Sequence, residues 1–262
     1  MPDILDLLSF AEVGDIDSSK AFLEWSERNY EAIGATLARK DAVVGRTALH
    51  RAAENGHADY VKWLLGKGVD HLQPDNSGVT ALHLAAIKGH VEVCKILLSH
   101  DTNGALAVQK PNDKGETAVH WAALSGNVDA LMLLLQTCGA AARSLTDSRG
   151  NTPLHCAAMN NREAAVASLL SANADPAARN SAGDTPLHTA ARSGALAAIY
   201  AFLPHLPVAR RAVCNAEGQT PMDVGGCAVP PGDRQARGHR FQAQVRQRQR
   251  GKRGEAGAPP GR

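Results

Sequence analysis

The chain has 262 residues, a formal net charge of +2, 44% hydrophobic content and only 4% aromatic content. Small aliphatic side chains therefore supply its apolar surface, and no apolar run approaches the ~20 residues a membrane-spanning helix needs. Met1-Pro2-Asp3 lacks the basic start of a secretory leader, and five scattered cysteines without a CxxC pair read as thiols of a reducing compartment, against a disulfide-built or membrane protein.

The charge is unevenly placed. Residues 226–262 hold nine Lys or Arg against Asp233 and Glu255, a local balance of +7, which leaves −5 on residues 1–225. A mildly acidic body thus carries a basic tail.

Residues 3–40 read as a worn first copy of a unit that recurs downstream. Ala11-Glu12-Val13-Gly14 matches the Ala-x-x-Gly that ends a first helix in later copies, and Ala21, Phe22, Leu23 and Trp25 can supply a second helix. A terminal repeat faces water on one side, so its loop signature is free to decay.

From Gly45 the unit is complete. Gly45, Gly78, Gly115, Gly150 and Gly183 are followed two residues on by Thr47, Thr80, Thr117, Thr152 and Thr185, and a shorter copy starts at Gly218 with Thr220. The threonine intervals are 33, 37, 35, 33 and 35 residues. A period in that range marks a solenoid, which grows by stacking and not by enlarging one core. Each threonine is a preferred helix N-cap, and Pro153 and Pro186 follow at the first helical position, where the missing N–H costs nothing. Alanine pairs, Ala52-Ala53 through Ala190-Ala191, permit close helix approach. Gly56, Gly89, Gly126 and Gly194 then end the first helix, with Asn161 in that place in one copy. Second helices carry apolar residues at helical spacing, such as Val61, Leu64 and Leu65 or Val166, Leu169 and Leu170. The copy at Gly218 breaks at Gly225-Gly226, and the Gly-, Pro-, Arg- and Gln-rich remainder reads as disordered. One weak helix over 233–250 is an alternative there, as a stand-in for the missing capping helix.

Thr-Ala-Leu-His-Arg-Ala-Ala-Glu-Asn-Gly-His (47–57), Thr-Ala-Leu-His-Leu-Ala-Ala-Ile-Lys-Gly-His (80–90) and Thr-Pro-Leu-His-Thr-Ala-Ala-Arg-Ser-Gly (185–194) resemble ankyrin repeats. The resemblance covers residues 41–224 and implies an all-α repeat solenoid with short β-hairpin fingers, built of stacked ankyrin repeats. On that pattern 1–40 is a degenerate N-terminal capping repeat. Full repeats follow over 41–73, 74–110, 111–145, 146–178 and 179–213, then a truncated repeat over 214–225 and the basic tail over 226–262. The resemblance implies a scaffold or adaptor that binds a partner protein through its concave face. The seven-unit count is also similar to that of gankyrin-type chaperones of the proteasome regulatory particle.

Enzymatic signatures are missing: the chain contains no G-x-S-x-G, P-loop, HExxH or GxGxxG. His50, His83, His120, His155 and His188 share one slot in five repeats. One histidine every 33–37 residues is not the close pairing of a zinc site, and each ring is expected to bond and lock its adjacent turn. The chain therefore reads as a non-enzyme with no cofactor, metal or small-molecule substrate.

By the resemblance, partner-binding slots are the finger tips, the residue between Gly and Thr, and the two residues after Ala-Ala. The candidates are Arg46 and Glu54; Val79, Ile87 and Lys88; Glu116 and Leu124; Asn151 and Met159; and Asp184 and Arg192. Val79, Ile87, Leu124 and Met159, with Trp121 nearby, are expected to form an apolar stripe flanked by charge, the layout of an interface with a polar rim. Trp121 is either the anchor of that stripe or, in the slot held by Leu84 one repeat earlier, a core residue. The tail reads as a nuclear-import or nucleic-acid segment through Arg246–Arg253, as an anionic-surface binder, or as a solvated end. A monomer in the cytoplasm, with the nucleus as an alternative, completes the expectation.

Overall fold

The computed structural model describes residues 5–28, 33–100, 104–207 and 211–225. The basic tail, and the weak helix expected over 233–250, lie outside the described residues.

Helices follow the repeat. The first unit holds α1 (Leu5–Val13), α2 (Ile16–Arg28) and α3 (Ile33–Leu37), and the second holds α4 (Ala48–Asn55) and α5 (Ala58–Gly66). The third holds α6 (Ala81–Lys88), α7 (Val91–Ser99) and α8 (Gly104–Gln109), and the fourth α9 (Ala118–Ser125), α10 (Val128–Cys138) and α11 (Ala140–Ser144). The fifth holds α12 (Pro153–Met159) and α13 (Glu163–Ser171), the sixth α14 (Pro186–Arg192) and α15 (Leu196–Phe202), and the seventh only α16 (Pro221–Val224). The two 33-residue intervals contain a bare helix pair. The surplus in the third and fourth units folds into α8, which packs on α7 and α10, and α11, which packs on α10 and α12.

The pairs stack in two layers. The inner row α1, α4, α6, α9, α12, α14 and α16 is in contact from neighbour to neighbour, as is the outer row α5, α7, α10, α13 and α15. Ser19 of α2 and Tyr60 of α5 share a buried hydroxyl–hydroxyl hydrogen bond of 2.5 Å, which ties the first unit to the second. The alanine pairs make the inner row possible: Ala52, Ala53, Ala85, Ala86, Ala122, Ala123, Ala157 and Ala158 are fully buried, so backbones approach with little between them. Leu64, Leu97, Leu131, Leu134 and Leu169 fill the space between the two rows. Ala191 is only half-buried, beside the four-residue α16 that ends the row.

Fingers are present as turns and not as strands; among the described residues no strand occurs. Each finger closes with one backbone pair, such as Asp75 N–H to Val79 C=O at 2.8 Å. It joins the next finger by a single backbone bond, such as Asp113 N–H to Ser77 C=O at 3.1 Å. A ladder needs successive bridges, and these turns are too short to provide them.

Candidate interaction surface

Three sets of side chains hold the frame that displays this surface. In the first, the five repeated histidines are wired identically. The ring of His83 sits at the third position of α6, where Nδ1 accepts the Thr80 N–H at 3.2 Å and lies 2.8 Å from the Thr80 hydroxyl. Its Nε2 reaches the Glu116 carbonyl of the next unit at 3.1 Å. Thr and His thus form a reciprocal capping box, with histidine in the place of the usual glutamate. Because Nδ1 faces a donor and Nε2 faces an acceptor, the ring is neutral with its proton on Nε2. His50, His120, His155 and His188 repeat this toward the carbonyls of Val79, Asn151, Asp184 and Gln219. The expectation that each ring locks its own turn is half the finding: each ring also bonds the following repeat. Burial lowers the pKa of all five below the ordinary 6.5, taking His83 to about 4. In the last unit Asp223 stands in the histidine's place and accepts from both Thr220 groups.

A second set ties each inner helix to the unit after it. His57 and His90 place Nε2 against the carbonyls of Glu12 and Glu54 at 2.7 and 3.0 Å. Asn127 donates to Ile87 C=O at 2.7 Å and Arg162 to Leu124 C=O at 3.0 Å. These side chains satisfy helix-end carbonyls that lack an intrahelical partner. Among the described residues no group of His, Cys, Asp or Glu is arranged to hold a metal ion, and no helix is long and apolar enough to cross a membrane.

The third set escaped the sequence reading. Asp75, Asn112, Asp147, Asn180 and Asn215 each stand five residues before the capping threonine, and Asp41 stands six before Thr47. Asp75 Oδ1 accepts the N–H groups of Ser77 and Val79 at 2.8 and 2.9 Å. Asn112 and Asn180 repeat this two and four residues on. Asp41 accepts four backbone amides, from Val43 to Arg46. Burial alone raises its pKa, but those four donors hold it below 3.8. These Asx turns set the finger geometry. The signal is an Asp or Asn five residues before the threonine in five copies and six before it in the copy at Asp41.

On this frame, the residue after the finger glycine and the first residue after Ala-Ala stand eight apart and face each other at the ends of the array. In the second unit Arg46 Nη1 meets Glu54 Oε2 at 2.6 Å, with Asp75 at 3.7 Å from Arg46 Nε. In the sixth, Arg192 Nη2 meets Asp184 Oδ2 at 2.6 Å, and Asp184 also accepts from Asn215. The expected flanking charges therefore pair within the chain.

In the middle units the slot after Ala-Ala is apolar, and the slot after the finger glycine holds Val79, Glu116 and Asn151. Ile87, Leu124 and Met159 occupy one place, two residues before the left-handed residue (Gly89, Gly126 or Asn161) that follows each of three successive inner helices. Ile87 and Leu124 are half-buried and Met159 is 44% exposed. Val79 departs from the expected stripe: its side chain is buried at 5% exposure. Its carbonyl and amide are both tied down, by His50 and Asp75, and that pulls the residue inward. Trp121 is half-buried; its Nε1 donates to Glu116 Oε2 at 2.9 Å, and its ring stands edge-on to His83 at 5.5 Å. Glu116 also accepts from Asn112, so this carboxylate is committed within its own unit. Asn151 is half-buried and bonded to Asp147 and Asn180, whereas Lys88 is exposed.

Comparison with known proteins completes the picture. No curated protein matches the chain. Among solved structures, the ankyrin repeat domain of Bcl-3, described as a unique member of the IkappaB protein family, superposes with a TM-score of 0.68. That likeness covers 84% of this chain and 92% of that one at 24% identity, and bears on the fold alone. The family model for ankyrin repeats matches residues 10–107 and 104–180, more than half of the chain. With the repeated Thr–His capping boxes and the two stacked helical rows, this makes the chain a member of the ankyrin-repeat family.

Proposed function

We propose that the protein is a scaffold that docks a partner protein on the inner helices and turns of its third to fifth units. Ankyrin repeats are protein–protein interaction modules, and the finer assignment rests on one observation. A single structural slot carries internally paired charge at the ends of the array, Glu54 and Arg192, but unpaired apolar side chains between them, Ile87, Leu124 and Met159. Apolar surface left uncovered beside a polar rim is the usual anatomy of an interface. Leu124→Asp and Met159→Asp test this, by comparing partner recovery from cell extract with wild type, with thermal melting as the folding control. Specific partners recovered by wild type are lost from both variants while melting stays within a few degrees. Full recovery by folded variants sinks the proposal.

A second reading, an adaptor at nucleic acid in the nucleus, rests on the +7 balance of residues 226–262. Salt-dependent DNA or RNA binding that disappears on deletion of those residues supports it. The proteasome-chaperone reading rests on the unit count alone.

A further inference from the structure

The docking face differs in charge from the body that carries it. Residues 1–225 carry a balance of −5, yet the apolar slot of Ile87, Leu124 and Met159 is bordered by cations on both margins. On the finger margin, Lys114 and Arg149 are exposed and occupy one slot in successive fingers, each accepting a backbone bond from the next finger. On the helix-end margin, Lys88 follows Ile87, and Arg162 is held beside Leu124 by its bond to the Leu124 carbonyl. At the C-terminal end, Arg192 has a side chain 54% exposed, while its counter-ion Asp184 is 4% exposed, so the pair presents its positive member to solvent. Exposed acids on these margins are Asp113 and Glu163. Glu116 is turned to Trp121 and Asn112.

The N-terminal end has the opposite sign. There Arg46 and Arg51 stand among Glu12, Asp41, Glu54 and Asp75, two cations within a cluster of four acids. A ligand with negative margins is attracted from the third unit onward and repelled before it.

We propose that the occupant of this face is an acidic amphipathic segment of another protein, with apolar residues on Ile87, Leu124 and Met159 and carboxylates on the basic margins. This rests on the docking reading above and adds the partner's chemistry. Stacked helices lie ~8–10 Å apart, about five to seven residues of a helix at ~1.5 Å per residue, so apolar residues on one helix face, up to one heptad apart, match the slot. Apolar contact supplies affinity, and the exposed charges supply orientation and a salt-dependent association rate.

The test uses the full chain, so that the basic tail is the same in every variant. The probe is a fluorescent peptide of about twenty residues with leucine at every seventh position and glutamate and alanine between, sized to three heptads. Its controls are a version with lysine for glutamate, a version with alanine for leucine, and a random DNA duplex. The glutamate–leucine peptide binds, less tightly as salt rises, and both peptide controls bind at least about tenfold more weakly. Lys114→Glu/Arg149→Glu weakens it about tenfold or more. Lys62→Glu/Lys95→Glu, the same charge change on α5 and α7, leaves it within about twofold. The proposal is overturned if the lysine peptide binds equally well, or if Lys114→Glu/Arg149→Glu has no effect. It is also overturned if the duplex binds as tightly and loses as much affinity in that variant, since the face then selects polyanions. If partner recovery is lost in Leu124→Asp and Met159→Asp but complete in Lys114→Glu/Arg149→Glu, the docking face stands and its acidic selectivity falls.

Discussion

His83 shows how one side chain joins local to global structure. It caps its own helix and grips the next repeat, and the capping bond, in which Nδ1 accepts, requires the neutral ring. Protonation turns Nδ1 into a donor aimed at the Thr80 N–H. In the unfolded chain the ring regains the ordinary pKa of 6.5, against about 4 when folded. Above pH 6.5 both states are neutral and the contribution is complete. As pH falls from 6.5 toward 4, the unfolded chain binds a proton that the folded chain refuses, so stability is lost through that window. His83 alone accounts for a loss on the order of 3 kcal/mol, and the other four rings add in the same direction. Asp41 titrates below 3.8, outside this window. The melting temperature is therefore expected to drop clearly between pH 7.5 and pH 5; a flat profile contradicts the assigned tautomer. The cysteines give a second residue-scale prediction. Burial pushes the Cys94 and Cys156 thiols up to about 12, whereas Cys214 is exposed. Maleimide at neutral pH is expected to label Cys214 in the native protein and Cys94 and Cys156 only after unfolding, as peptide mapping will show.

At the scale of elements, the finger turns are the sensitive points. Gly78 has φ +76, and a Cβ there would lie 2.7 Å from the Asp113 backbone nitrogen, the atom that bonds Ser77. Gly78→Ala thus meets both a left-handed backbone and a backbone clash, and it is expected to cost about 1–3 kcal/mol in denaturant unfolding. A cost under about 0.5 kcal/mol would mean that the finger contact is dispensable. Asn161 shows the converse. It replaces the usual glycine at φ 56, and its Oδ1 accepts the Ala198 N–H at 3.1 Å, which links the fifth unit to α15. Helix starts were readable because the Thr–Pro and Thr–Ala signals act within one turn of chain. The strand content of the fingers was not, because pairing depends on how many bonds the neighbouring finger offers.

For the whole molecule, each unit touches only its neighbours, so stability is a sum of unit and interface contributions. Interior helices such as α6, α9 and α12 are clasped on both sides, whereas α1 has one inner neighbour and the four-residue α16 covers α14 only in part. Amide exchange is expected to be slowest in α6, α9 and α12 and to quicken toward both ends. Equal protection along the array would indicate a single cooperative unit.

Sequence by itself determined the repeat, its period, the inner and outer helix of each full unit and the residues that cap them. Those features are local or periodic, and periodicity survives without coordinates. It also marked the slots that vary between copies. Only the tertiary structure decided which of those slots are free. Glu54 and Arg192 were read as flanking charges for a partner, but each meets an ion across eight residues of its own unit. Val79 was read as surface, but it is drawn inward by bonds from His50 and Asp75. Trp121, which the sequence leaves as either a core residue or the anchor of an interface, is half-buried, with its N–H held by Glu116. Exposure is a property of contacts made across the stack, and no single unit encodes them.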